Sequence, residues 1–352
     1  MYAPKPSHQP TLTCLLILGA CLLLTACERQ SAVTAEPSQS ASPLRTRLLT
    51  DKQYVNTITQ VFGADISESV LPPIPPMERT DGLLASGAAF VGVTSDQISQ
   101  IQLAAATVAQ KVVDEEHRDF LIPCSPESAI AADPVCAGLF LAETGRLLLR
   151  GSMDETRLAQ LVDVASYAAE QTEDFYDGLA LALEAILISP EFVFIVDSVE
   201  PDPERPAQQR LDSYSLASRL SFFLWNAAPD DALLQAAENG ELHTPQGLAR
   251  AVDRLLASTR LEEGMRTFFD DMLAFDEFNS LAKDPRVYPM VTGTTLEHAR
   301  EQTLRTIIDH LLVDEADYRD LFTTRKTFMS MPLAALYSTA TGDGWTRYEF
   351  DD

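Results

Sequence analysis

Leu24-Thr25-Ala26-Cys27 is the tetrapeptide of this chain with the most specific chemistry. It sets small side chains directly before a thiol. That is the spacing of a lipobox, in which the cysteine takes lipid and becomes the mature N-terminus. The preceding run from Leu12 to Ala26 is apolar and follows a short leader carrying Lys5. An apolar stretch of about 15 residues falls short of the ~20 that a membrane-spanning helix needs. Its length, basic flank and small residues before the cut fit a secretory signal peptide over residues 1–26. Cys27 is therefore the expected lipidation site, and each buried methylene of an acyl chain contributes about 0.8 kcal/mol to anchoring.

The other candidates for chemistry are sparser. Cys14 and Cys21 leave with the signal peptide, so Cys124 and Cys136 remain as one pair in an oxidising compartment. A disulfide between them is expected, because two cysteines without a nearby histidine make only half a zinc site. No Cys-x-x-Cys-His occurs, so no c-type haem attachment and no cofactor is expected. Asp270, Asp271, Asp276 and Glu277 form the densest acidic cluster, which acid–base or Ca²⁺ chemistry would need. Consecutive helix positions point in different directions, however, and a solvated helix face is the expectation. His298 and His310 lie twelve positions apart on one expected helix, about 18 Å along its axis, and cannot share a metal. His117 and His243 sit in unrelated segments, so no metal site and no catalytic residue is assigned.

Arg219 stands inside an apolar helix between Leu216, Leu220 and Phe223. A buried guanidinium must be paired, and Asp212, Asp230 or Asp231 is the expected partner. The side chain is a candidate anion clamp, with an interhelical salt bridge as the preferred reading. Trp225 with Phe222 and Phe223 offers an aromatic cluster for stacking or for the core.

Composition sets the frame around these residues. The chain has 352 residues, 46% hydrophobic, with a net charge of −26. That supports real cores, and it disfavours nucleic acid or an anionic headgroup surface as partner. Residues 27–44 are rich in Ser, Ala, Thr, Pro and Glu without apolar periodicity, a flexible tether with a reach of about 20–25 Å. Thr50 with Gln53 forms a capping box ahead of a helix that Gly63 stops. Helices are further expected over Thr94 to Val113, with Ile98 and Ile101 inward, around Leu139 to Leu149, after Asp154, and over Phe175 to Ile188. Beyond a proline-rich linker at 197–210, Asp212, Asp230 and Thr244-Pro245 cap further helices, followed by Leu261 to Leu273 and Leu296 to Leu312. Leu248, Val252, Leu255 and Leu256 are expected inward. Period-2 alternation is nowhere sustained. The fold class is therefore all-α, or mainly α: a multi-helix bundle in two packed units, 45–196 with the disulfide loop and 211–350.

The stretch Leu211-Asp212-Ser213-Tyr214-Ser215-Leu216-Ala217-Ser218-Arg219-Leu220-Ser221-Phe222-Phe223-Leu224-Trp225, continuing Pro229-Asp230-Asp231-Ala232-Leu233-Leu234, resembles a signature of the planctomycete-type, cytochrome-associated proteins built from serial domains of unknown function. Leu48 to Thr57 is similar to the opening segment of that family. Arg146 to Arg150 and Ile188-Ser189-Pro190-Glu191-Phe192 are similar to its middle segment. The resemblance implies an exported bacterial protein associated with haem c domains and no settled activity. Ile195 departs from the pattern where a basic residue is usual, and Leu336 where members commonly show His. The family's further C-terminal segments are not seen. The functional expectation is a lipid-anchored envelope protein at the outer membrane facing the periplasm. It would serve as a non-enzymatic accessory or scaffold for a basic partner such as a c-type cytochrome. The alternative is an enzyme on an extracellular polymer using Asp/Glu acid–base chemistry.

Overall fold

Side chains that close helix ends determine most of this architecture. A computed structural model describes residues 46–68, 74, 77–281 and 283–351; the expected signal peptide, the expected lipidation site Cys27 and the expected tether lie outside them. Helix α1 (Asp51–Phe62) begins at Thr50, whose hydroxyl accepts from Gln53 N while Gln53 Oε1 accepts from Thr50 N. The same reciprocal box at Thr94 and Gln97 opens α2 (Ser95–Val113). Carboxylate caps follow: Asp133 for α3 (Pro134–Leu148), Asp154 for α4 (Glu155–Thr172) and Asp174 for α5 (Phe175–Leu187). Each satisfies backbone N–H groups that the helix itself leaves orphaned. In the second half Asp212 caps α6 (Ser213–Leu224), Asp230 caps α7 (Asp231–Glu238), and Thr244 caps α8 (Pro245–Leu256) with proline at the first position. Helices α9 (Arg260–Met272), α10 (Gly293–Ile308) and α11 (Met331–Tyr337) complete the main set.

The mainly-α expectation holds. Among the described residues the β structure is three short antiparallel pairs. Strand β1 (Arg47–Leu48) pairs with β2 (Phe194–Ile195) in the register Arg47 to Ile195. Strands β3 (Val199–Pro201) and β4 (Gln209–Leu211) form a hairpin in the proline-rich segment. Strands β5 (Lys326–Met329) and β6 (Thr346–Glu349) flank α11.

The largest core gathers Tyr54, Ile58, Val108, Phe140, Leu183 and Phe192, and it also takes in Phe222 and Ala228 from the second half. A second core centres on Trp225, Leu233 and Leu255, a third on Phe269 and Leu304, and a fourth on Met329 and Leu333. Helix α5 is buried on nearly every side, as its apolar run predicts, exposing Asp177 and Leu181. Two sequence expectations fail at helix edges: Ile98 is 58% and Leu256 47% exposed. Both sit at the flank of an apolar stripe, where periodicity alone does not say how far the neighbouring helix reaches.

The Cys124–Cys136 disulfide forms, as expected, and fastens the loop ahead of α3. Replacing both cysteines by serine is expected to lower the unfolding free energy by about 3 kcal/mol on the chain-entropy model. Urea denaturation of the oxidised protein and the double variant measures this; equal midpoints would show the bridge to be thermodynamically idle.

Candidate functional site

Four segments distant in sequence meet around one arginine. Helix α3 ends at Leu148, and Arg150 two residues on adopts a left-handed backbone (φ 56°). That turn aims its side chain inward, where the residue is only 6% exposed. The guanidinium donates to Leu148 O (3.3 Å), Phe192 O (3.0 Å), Phe194 O (2.7 Å) and Glu191 O. Among the described residues no carboxylate pairs with it; the oriented dipoles of carbonyls at the end of the short Pro190–Val193 helix offset its charge instead. Its remaining contact is the Phe222 ring, 5.8 Å from the guanidinium carbon. Burial pulls the pKa of Arg150 down to about 10, still high enough to keep it protonated at neutral pH.

The surrounding contacts tie the same segments together. Tyr54 of α1 packs edge-on against Phe192 at 5.5 Å, and Leu49 N donates to Val193 O at 2.9 Å. Thr57 Oγ1 accepts from Ala228 N (3.2 Å), Gln60 Nε2 donates to Ala228 O (2.8 Å), and Asn56 Nδ2 donates to Asn226 O (3.2 Å). Ser221 Oγ takes the same Ala228 carbonyl at 2.9 Å. Arg146 reaches from α3 to Asp231 and, at 3.4 Å, to Glu238 on α7. The turn after α6 is thus held by α1, and α7 by α3. These are the segments Leu48–Thr57, Arg146–Arg150, Ile188–Phe192 and Leu211–Leu234 singled out by resemblance.

Arg219 joins this junction with a different partner from those expected. Its Nη2 lies 2.7 Å from Asp197 Oδ2, and the Asp197 side chain is 2% exposed. Asp212 caps α6, Asp230 binds Arg254 (2.7 Å), and Asp231 binds Arg146. All three are engaged elsewhere, while the return of the chain through β2 delivers Asp197. Arg47 lies in the field of the same pair; burial lowers its pKa, Asp197 raises it and Arg219 lowers it. The charge of Arg219 is met within the fold, so an anion clamp there would have to compete with a buried carboxylate.

The other sequence candidates are dispersed. Asp270 pairs with Arg300, while Asp271 (2.9 Å) and Asp276 both pair with Arg79. Asp271 also accepts from Leu84 N (2.8 Å) and Ala85 N (3.1 Å), capping a short helix far away in sequence. Asp270, Asp271 and Asp276 therefore staple segments together, with Arg79 folding back onto two of them, while Glu277 is exposed as a solvated face would have it. Trp225 is buried and donates Nε1–H to Leu255 O at 2.9 Å, Phe222 is buried, and Phe223 is 76% exposed. The three rings do not form one stacking surface. His310 lies in a π-turn (Asp309–Val313) and contacts Asp317 O at 2.9 Å. Among the described residues no group of three or more His, Cys, Asp or Glu is placed to hold a metal ion.

Sequence reading passed over two features. In the sequence Arg150 shows only as the last residue of the Arg146–Arg150 segment; its signal is an arginine just before Gly-Ser at a helix end. The other is a pair 32 residues apart, His298 Nδ1 and Ser330 Oγ at 2.7 Å, with the imidazole stacked on Trp345 at 5.1 Å. Ser330 is only 2% exposed, and His298 is half-buried.

Residues 136–197 match the family model described as PSD5, a protein of unknown function (DUF1595), and residues 211–339 match PSD4, a protein of unknown function (DUF1592). No curated protein and no solved structure matches the chain. The two matched regions are joined by the Arg146–Asp231 and Arg219–Asp197 ion pairs and by the Phe222 ring beside Arg150. The chain thus carries, in series, two of the planctomycete cytochrome-associated domains of unknown function.

Proposed function

We propose that this protein is a lipid-anchored bacterial envelope protein that works as a non-enzymatic scaffold or accessory module of a cytochrome-associated system. The observation that carries the reading is the fate of the signature residues. Arg146, Arg150, Arg219 and Asp231 hold helices to one another, and three of the four acidic candidates for acid–base chemistry, Asp270, Asp271 and Asp276, are joined to Arg300 or Arg79. A surface of net charge −26 suits a basic envelope partner such as a c-type cytochrome and repels nucleic acid. The lipobox supports acylation at Cys27, and the reading takes the anchored position to be the outer membrane, facing the periplasm.

The anchor has its own test. A Cys27→Ala chain is expected to lose metabolic labelling by an alkynyl fatty acid and to move from the membrane to the soluble fraction. Unchanged labelling and fractionation would overturn the anchor. For the scaffold reading, affinity capture from envelope extract at low ionic strength is expected to retain a basic protein and release it in high salt. Recovery of no basic protein would count against it.

A further inference from the structure

Carboxylates outnumber lysine and arginine in this chain by 52 to 26, so a guanidinium within the fold has acids in plenty to meet. Arg79 meets Asp271, Arg146 meets Asp231 and Arg254 meets Asp230. Arg47 is an exception. It is half-buried, and among the described residues its guanidinium makes no hydrogen bond and no ion pair.

Backbone pairing explains where this side chain goes. Strand β1 sets Arg47 opposite Ile195, and cross-strand partners leave the same face of a ladder. Ile195 is 2% exposed, so that face is the inner one. Asp197 follows two residues later, and its Oδ2 lies 2.7 Å from Arg219 Nη2. Diagonal neighbours of this kind lie ~7–8 Å apart, within reach of a long side chain. Asp197 and Arg219 accordingly both act on the charge of Arg47.

The resulting cluster is incomplete in two ways. Two cations share one carboxylate, which leaves a net positive charge in half-buried surroundings. The Arg219–Asp197 contact is also one-sided: Arg219 Nε and Asp197 Oδ1 are buried without a hydrogen-bond partner among the described residues. The Arg219 side chain is still 38% exposed, and its Nη1 is left unbonded on the open side. Donors of both guanidiniums thus stay free. Such groups match the oxygens of phosphate and carboxylate, often two N–H bonds at a time.

We propose that Arg47 and Arg219 form a binding site for a small oxyanion, a phosphate or a carboxylate. The anion accepts from both guanidiniums and supplies the second negative charge that Asp197 alone does not. Shared with Arg47, it leaves the Asp197 contact in place. The site is independent of the scaffold reading, since neither the anchor nor a protein partner enters it.

Thermal unfolding compares the natural chain, Arg47→Met, Arg47→Lys and a control, Arg286→Met, whose arginine is 88% exposed. Chloride at the same ionic strength is the reference. Orthophosphate is expected to raise the midpoint of the natural chain and of the control by about 2 °C. Arg47→Met should lose that rise, and Arg47→Lys should keep only part of it, because an ammonium lacks the planar fork. In chloride alone the midpoint of Arg47→Met should equal or exceed that of the natural chain, since a half-buried cation without a partner is removed. Acetate and glycerol phosphate, run in parallel, tell a carboxylate or a phosphate monoester from free phosphate. A rise with any of the three that Arg47→Met loses supports the site. No rise with any of them, or an equal rise in Arg47→Met, would overturn it. A lowered midpoint of Arg47→Met in chloride would overturn it too, by making Arg47 a structural partner of Asp197.

Discussion

Substitution of Arg150 by methionine lowers the unfolding free energy by about 3–5 kcal/mol, the largest expected effect of any single residue in this chain. Methionine fills much of the same space, so the loss does not come from a cavity. It comes from the carbonyls of Leu148, Glu191, Phe192 and Phe194, which lose a shared donor inside the core. An unsatisfied buried carbonyl costs about 1–3 kcal/mol, and partial relaxation toward water reduces the sum. Arg150→Lys is expected to recover only a fraction, because a compact ammonium cannot reproduce the planar fork that spans these oxygens. Arg150→Gly separates the backbone from the side chain: it relieves the left-handed φ of 56° yet still loses the guanidinium. It should therefore remain well below the natural protein in stability. Urea unfolding of the three variants decides the matter, and a methionine variant within about 0.5 kcal/mol of the natural chain would refute the role assigned to Arg150.

Gly178→Ala carries the second large effect, and here the sign is the test. In an exposed helix the change from glycine to alanine stabilises by about 1 kcal/mol. At position 178 the new Cβ would run into Ala165 O and lie 2.8 Å from Ala169 N. Helices α4 and α5 must then move apart, and overpacking of this kind destabilises by roughly 1–3 kcal/mol. Gly264→Ala provides a companion in the other half, where the Cβ would meet Leu224 O and lie 3.1 Å from Trp225 N. It should loosen α9 from α6. A raised thermal midpoint for Gly178→Ala would show that the hairpin is less closely packed than described.

Local features of the fold were legible in the sequence. Thr50 with Gln53, Asp154, Asp212 and Thr244-Pro245 start helices because capping depends on residues three positions apart. The apolar run from Phe175 marks a buried helix because a helix apolar on every side has no face to turn to water. Partnerships across long separations were not legible. Arg219 was read against nearby carboxylates, whereas β2, fixed by pairing with β1 near the start of the described chain, brings Asp197 to it. Likewise Asp271 reads as one of several surface acids until Arg79, 192 residues away, closes on it. Arg150 was the least visible of all. Its ligands are main-chain carbonyls, which every residue possesses, so no side-chain pattern announces them.

The central claim is that the signature segments lock the two matched regions into one body. The exposed turn between β3 and β4 offers a direct test. A protease site is inserted between Pro206 and Ala207 of the Cys27→Ala chain, and the chain is cut after folding. Size-exclusion chromatography with light scattering then reads the mass. The two pieces should elute as one particle with the mass of the uncut chain and separate only in denaturant. Fragments that separate in native buffer would contradict the claim that Arg146–Asp231, Arg219–Asp197 and the contacts around them join the halves.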